Sequence, residues 1–316
     1  MSNNIEATKF ANIFNKQNGI FTYSGEMAIE IALKCIDVEG KKVVVQNNVC
    51  HRVLLAILRS GAVPVIIKPG NSFNLSTNDI EKVMNVHKDI VAIIIVHQYG
   101  IRTEINQIKK IINNNIKIIE DIAQGWNIKD IGKYSDYVVT SFGESKQLSF
   151  GIGGGVFTDN EEINSIIDVN FRMSRKSEYM VIPYILPSNI KIEYKNLKKI
   201  GNKNIKKQIR NAKIVQNIIK DKNKDFNCFE IEYGVWNRFP IWTSDLDEYE
   251  KMKKMLNEMN IKYELPYKKQ LEEIAFLQKN KYYFYNYQKD NIYIILIKTR
   301  ANKRWDLSKW KLKEIR

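Results

Sequence analysis

Seven consecutive apolar residues, Ile90 to Val96, stand in the first half of this chain, and nearly all are β-branched. The run has strand length. It lacks the apolar–polar alternation of a half-exposed strand, so both of its faces must be covered. Its neighbours show what covers it. Helical patterns are predicted over Met27 to Ile36, Val53 to Ser60, Thr77 to Asn85 and Ile105 to Asn113. Between them lie short apolar runs at Lys42 to Val45, Val63 to Ile67, Ile116 to Ile119, Tyr137 to Phe142 and Gly155 to Thr158. Strands alternating with helices predict an α/β fold, with a mostly parallel central sheet and helices on both faces.

The pattern changes after Arg172. A long lysine-rich helix is expected from Lys195 to Lys220, strand-like composition from Phe229 to Trp242, an amphipathic helix from Leu246 to Met259 and a strand from Ile292 to Lys298. This predicts a large α/β domain over residues 1–225 and a smaller C-terminal α+β domain over 226–316. No internal repeat is visible.

Several functional classes drop out on composition. No stretch of eighteen uncharged apolar residues exists, and the MSNNIEATKF start lacks the basic-then-apolar pattern of a secretory signal, so no membrane association is expected. Cys35, Cys50 and Cys228 have no metal-ligand spacing, and an odd, sparse set fits a reduced, cytoplasmic protein. The net charge of +15 invites a nucleic-acid partner. The lysines are spread along the chain, however, and the densest stretch, Lys195 to Lys213, reads as a solvated helix face, so no nucleic acid is expected. A positive surface favours a small anionic substrate.

Open α/β sheets bind ligands beyond the carboxyl ends of their strands, and three segments fall there. Ser24-Gly25-Glu26-Met27 opens a helix, where free N–H groups and the positive dipole end suit a phosphate; it also reads as a plain N-cap. Glu120-Asp121 ends an apolar strand. An Asp there can pair with a protonated ring nitrogen, or both acids can simply be solvated. Ser141 to Lys146, followed by Gly151 to Gly155, offers a lysine able to form a covalent bond with a carbonyl if its amine is partly desolvated, over a chain free to turn closely. Each segment is weak alone. Their order carries more.

That order resembles the DegT-type sugar aminotransferases, a pyridoxal-phosphate-dependent family with the fold-type-I, aspartate-aminotransferase fold. The resemblance runs from Tyr23 to Met173. It takes in Gly61-Ala62-Val63-Pro64-Val65, Phe73-Asn74-Leu75 before Asp79-Ile80-Glu81, Val96-His97-Gln98-Tyr99-Gly100, the Glu-Asp-x-Ala-Gln stretch at 120–124, the Ser-Phe-x-x-x-Lys stretch at 141–146 and Asn170-Phe171-Arg172-Met173. It implies that Lys146 holds the cofactor covalently and shuttles the proton, and that Asp121 pairs with the ring nitrogen. It implies that Gln124 lies near the cofactor's phenolic oxygen, and that Ser24, Gly25, Glu26 and Ser141 surround the phosphate. Asn170 would reach the phosphate in a neighbouring subunit, which implies a homodimer with shared sites. The implied reaction moves an amino group from glutamate or a similar donor to a keto sugar on a nucleotide, in surface-polysaccharide or amino-sugar biosynthesis.

The chain departs from the family pattern at Glu26 and Met27, where members carry a small hydroxyl residue and alanine. A carboxylate beside a phosphate is unfavourable unless it turns outward, which is the arrangement expected here. Cys50, with His51 beside it, stands where an aromatic side chain often covers the ring. The C-terminal region is shorter than usual. Of the other histidines, His87 is expected at the surface and His97 in a structural role. Two rivals follow. A sugar dehydratase of this family tends to carry histidine in place of the lysine, so Lys146 favours transamination. A degenerate, non-catalytic member is the other.

Overall fold

The computed structural model describes residues 2–70, 72–163, 170–175, 178–183, 185–186, 189–222, 225–258, 261–267, 270–277, 281–286 and 292–300. In chain order its elements are α1 (Ser2–Ala11), β1 (Asn18–Thr22), α2 (Gly25–Ile36), β2 (Lys42–Gln46), α3 (His51–Arg59), β3 (Val63–Lys68), α4 (Thr77–Val86), β4 (Ile90–Val96), α5 (Ile105–Ile111), β5 (Lys117–Asp121), β6 (Tyr137–Ser141) and β7 (Gly154–Thr158). There follow β8 (Asn170–Arg175), β9 (Glu178–Pro183), α6 (Tyr194–Lys222), β10 (Asn227–Cys228), β11 (Phe239–Thr243), α7 (Leu246–Glu258), β12 (Tyr263–Glu264), α8 (Leu271–Leu277), β13 (Tyr283–Asn286) and β14 (Tyr293–Ile297).

An eight-stranded sheet runs in the order β1-β7-β6-β5-β4-β2-β3-β13. All neighbours from β6 to β13 pair in parallel, and β7 is antiparallel to both β1 and β6. The continuous apolar strands follow from burial on both faces. On β4, Ala92, Ile94 and Val96 pack with α2 and α3, while Ile93 and Ile95 turn the other way, onto α4 and α5. At the β1 end, α1 and α6 cover Phe21, Val138 and Phe157, with Phe10, Phe14, Trp126 and Phe142 joining an aromatic cluster.

A second, antiparallel sheet has the order β10-β11-β14-β12. It packs on α7 and on the second half of α6 through Ala212, Val215 and Ile219, while Leu197 and Ile205 of the same helix belong to the core beneath the large sheet. The lysines of α6 between these apolar rows are mostly exposed, as a solvated face requires. Thus one long helix fixes the small sheet against the large one. β8 and β9 form a separate hairpin.

The structure differs from the sequence expectations in three places. The stretch from Phe229 to Trp242 is not one strand. Ile231–Tyr233 is a short 3-10 turn, and Trp236 has φ 57, so extended pairing begins only at Phe239. α2 begins at Gly25 because the Ser24 side chain accepts a hydrogen bond from the Met27 N–H at 3.2 Å and caps the helix. His87 is buried, not exposed: β13 returns over it, placing the Tyr283 ring 4.5 Å from its own and the Tyr285 hydroxyl 2.6 Å from Nε2.

Candidate active site

The carboxyl ends of β5 and β6 and the amino ends of α2 and α3 converge on one cavity of about 400 Å3. The start of α2 contributes Ser24, Gly25, Glu26 and Met27, and the start of α3 contributes Cys50, Arg52 and Val53. Asp121 ends β5 and Ala123 follows it, Thr140 and Ser141 end β6, and Lys146 completes the lining. Most of the sequence-predicted residues therefore do meet. His51 stands exposed on the first turn of α3, outside this lining. Asn170 begins β8, and its side chain lies outside the described residues.

The start of α2 is seated unusually close to β6. A Cβ on Gly25 would stand 2.8 Å from the Ser141 Cβ and 3.2 Å from the Thr140 carbonyl oxygen. On the other side, a Cβ on Gly154 would fall 2.6 Å from the Gly25 nitrogen. Glycine at both positions lets three backbone segments pass at contact distance. Ser24 takes the Met27 N–H, but the first N–H groups of a helix have no intrahelical acceptor. Gly25 and Glu26 line the cavity at that end, with the positive pole of the helix behind them. Nearby, the Thr140 hydroxyl is buried without a hydrogen-bond partner, and the Ser141 hydroxyl accepts only a long bond of 3.4 Å from the Gly143 N–H. These donors suit an anion.

The two carboxylates at the end of β5 have opposite fates, because successive side chains point to opposite faces. Glu120 is buried and satisfied. It accepts from His97 Nε2 at 2.9 Å, the Gly132 N–H at 2.9 Å and the Ser135 hydroxyl at 2.7 Å, and so anchors the loop before β6. His97 Nδ1 accepts from the Thr103 N–H at 3.2 Å, which leaves Nε2 to donate to Glu120; its role is structural. Asp121 instead faces the cavity. It accepts from the Ala123 N–H at 2.8 Å. Burial pushes its carboxyl above the ordinary range, opposed by that N–H and by the charge of Lys146. A buried carboxylate held this way is improved by a cation placed against it.

Lys146 sits in a loop whose shape comes from its neighbours. The Phe142 N–H donates to the Gly153 carbonyl, and the Phe142 carbonyl accepts from Phe150 and Gly151. Gln147 is fully buried; its side chain accepts from the Trp126 N–H at 2.7 Å and donates to Gln208 at 2.8 Å. Arg300 donates to the Lys146 carbonyl at 2.9 Å and to that of Glu144. Sequence reasoning missed Gln147 and Arg300, since both act through partners far along the chain.

Lys146 also borders a second, smaller cavity of about 100 Å3 with Tyr99, Gln124, Asn237, Arg238, Glu264 and Tyr267. Gln124 is held on both sides: its Nε2 donates to Gln98 at 2.9 Å and its Oε1 accepts from Asn237 at 3.2 Å. Arg238 forks onto Glu264 at 2.8 and 3.3 Å and donates to the Asn237 carbonyl. Burial pushes the Tyr99 phenol up to about 12, so it stays a neutral donor. Lys146 therefore borders both an anion-suited cavity and a polar one walled by the small sheet. Arg238, Glu264 and Tyr267 come from the region that resists pattern reading, and nothing local in the sequence marks them.

A model of the DegT/DnrJ/EryC1/StrS aminotransferase family matches residues 3–289. Among curated relatives, the 3-oxo-glucose-6-phosphate:glutamate aminotransferase of Bacillus subtilis (strain 168) is 26% identical over 267 residues, covering 80% of this chain and 60% of the relative. The dTDP-3-amino-3,6-dideoxy-alpha-D-galactopyranose transaminase of Aneurinibacillus thermoaerophilus is 31% identical over 160 residues, covering 48% of this chain and 44% of the relative. The chain thus spans about half the length of these relatives. The crystal structure of NtdA from Bacillus subtilis with bound cofactor PMP superposes with a TM-score of 0.71 at 25% identity, over 85% of this chain and 65% of that one. Among the described residues, no helix is long and apolar enough to cross a membrane, and no group of three or more metal-ligating side chains is present.

Proposed function

This chain belongs to the DegT/DnrJ/EryC1/StrS aminotransferase family, and from that premise we propose that it is a pyridoxal-phosphate-dependent aminotransferase acting on an anionic keto sugar. One observation carries the reading: Lys146, Asp121, Ser141 and the open end of α2 line a single cavity. The residues fit the cofactor. The phosphate has the N–H groups of Gly25 and Glu26, the hydroxyls of Ser24 and Ser141, and the unpartnered Thr140 hydroxyl within the same wall. The ring nitrogen has a buried carboxylate, Asp121, whose raised proton affinity a pyridinium partner would offset. Cys50 borders the space left for the ring.

Pyridoxal phosphate, when bound, supplies the electron sink that lets an amino group leave one carbon and join another. The chain's own residues supply the rest. Lys146 would hold the cofactor through Nζ and could move a proton beside the second cavity, which it also borders. Asp121 keeps the proton on the ring nitrogen. Gln124, immobilised by Gln98 and Asn237, lines the second cavity beside the same lysine rather than the first, and from there it would approach the cofactor's phenolic oxygen. Arg238 and Tyr99 wall the space where substrate would enter.

The amino donor in this reading is glutamate or a similar amino acid, and the acceptor is a keto sugar carried on a nucleotide. The relatives' names include both a sugar phosphate and a nucleotide-linked sugar, and the shared feature is negative charge, matched by the net +15 of this chain. The setting is cytoplasmic amino-sugar or surface-polysaccharide biosynthesis, with residues 1–225 and the returning β13 as the cofactor domain, the rest of 226–316 as the smaller one, and two chains sharing their sites through Asn170. The test is covalent labelling. Protein loaded with pyridoxal phosphate and reduced with borohydride should carry the label on the Lys146 peptide. Label on another lysine, or none after loading, would refute the assignment. Lys146→Ala should abolish transamination yet keep non-covalent cofactor binding.

A further inference from the structure

Glu26 is the residue that fits a phosphate cradle worst by sequence, and its surroundings explain its presence. Its carboxylate is not free. It pairs with Arg52 Nη1 at 3.0 Å and with Arg59, whose Nε also stands 3.4 Å from Glu30. The Glu26 side chain is 9% exposed and the Arg52 side chain 43%. Two guanidiniums therefore neutralise one buried carboxylate, and the pair ties the start of α2 to α3.

Arg52 has more donors than this pair uses. A guanidinium carries five N–H groups, and Glu26 is the single partner that engages it among the described residues. Arg52 lines the same cavity as Ser24, Gly25 and Ser141. It also occupies the first turn of α3, where the helix dipole disfavours a cation. A cation in that position is compensated only by negative charge on the cavity side or by Glu26. From this geometry we infer that Arg52 is a ligand for the cofactor's phosphate, and that Glu26 is a positioning residue that holds the guanidinium at the cavity wall. The inference rests on the reading that this cavity takes pyridoxal phosphate. On it, the acid at position 26 does not oppose the anion. It recruits a second cationic contact from a neighbouring helix, and the planar fork of arginine suits a phosphate.

The test separates phosphate from ring. Protein freed of resident cofactor is titrated with pyridoxal phosphate and with pyridoxal, which has the same ring and aldehyde but no phosphate, for the wild type, Arg52→Ala, Arg52→Lys and Glu26→Gln. Arg52→Ala should weaken pyridoxal phosphate roughly ten- to a hundred-fold, as expected for losing a charged hydrogen-bond partner, and leave pyridoxal unchanged. Arg52→Lys should recover part of the loss. Glu26→Gln should show a smaller, again phosphate-dependent, loss. Equal weakening of both compounds in Arg52→Ala, or none in either, overturns the inference and leaves Arg52 as a structural partner of Glu26. A wild type that binds neither compound overturns the cofactor reading together with it, whereas a wild type that binds pyridoxal phosphate beside an unaffected Arg52→Ala overturns the role of Arg52 alone.

Discussion

Gly25→Ala sets two physical effects against each other. Gly25 is the first residue of α2 and its φ is not in the left-handed region, so alanine can adopt the backbone. Helix propensity alone favours the change by up to about 1 kcal/mol. Space opposes it, because the new Cβ would sit 2.8 Å from the Ser141 Cβ, and carbon contacts settle near ~3.5 Å or beyond. The helix start must then withdraw from β6 by about 0.7 Å, and overpacking of this kind typically costs about 1–3 kcal/mol. The expected net effect on the cofactor-free protein is a loss of up to about 2 kcal/mol, from the difference of these terms. Cofactor affinity should suffer more. A withdrawal of that size stretches an N–H···O contact past the hydrogen-bonding limit, and a hydrogen bond to a charged acceptor is worth about 1.5–3 kcal/mol. That corresponds to roughly a ten- to hundred-fold weaker pyridoxal phosphate complex. Urea unfolding of the cofactor-free protein and an absorbance titration measure the two effects separately. A variant as stable as the wild type, with unchanged affinity, would show that α2 is not wedged against β6 and would remove Gly25 from the phosphate site.

Asp121→Asn should lower turnover by at least about two orders of magnitude, the scale for removing one catalytic electrostatic partner. The same change should flatten the pH dependence of stability in the cofactor-free protein. Burial raises the folded pKa of Asp121, so its favourable contribution is complete below the unfolded pKa and is lost as pH rises through the folded one. Asparagine lacks that loss, and a variant whose stability falls with pH as the wild type does would contradict the burial argument. Gln147→Ala leaves the Trp126 N–H without its partner, a cost of about 1–3 kcal/mol in chemical unfolding, and loosens the loop that carries Lys146. An unfolding midpoint matching the wild type would remove Gln147 as the anchor. If Asn170 completes a neighbour's phosphate site, light scattering should show at least a dimer wherever activity is found, and an active monomer would exclude that role.

Local pattern made the large sheet legible. Ile90 to Val96 appears as written, since a strand covered on both faces leaves an unbroken apolar signature. The cavity was legible by a different route: its Ser-Gly, Glu-Asp and Lys segments each end a readable element but are weak singly, and it was their order, through the family resemblance, that joined them. What escaped was set by distant partners. Glu26 meets Arg52 and Arg59 on another helix, Gln147 meets Gln208, and Arg300 meets the Lys146 loop, pairings that no 2- or 3.6-residue period encodes. β13 is a short run of consecutive aromatics, Tyr283-Phe284-Tyr285, whose strand propensity does not say which strand it joins, and its return over His87 buries a residue that its own neighbourhood marks as exposed.

That returning strand has a consequence for how the chain comes into being. β3 carries an apolar row, Val63-Pro64-Val65-Ile66-Ile67, and among the described residues its outer edge is covered by β13, which pairs Tyr283 with Val65 and Tyr285 with Ile67. About two hundred residues must be synthesised between the two strands, which at ribosomal speed means some tens of seconds or more, about 10–40 s at 5–20 residues per second. Through that interval the nascent sheet presents an open, sticky edge of the kind that recruits other chains. The last strand to join the sheet is thus also its seal. Changes that weaken the seal around Tyr283 and Tyr285 would reduce yield through aggregation during biogenesis and leave the chemistry of the assembled molecules intact.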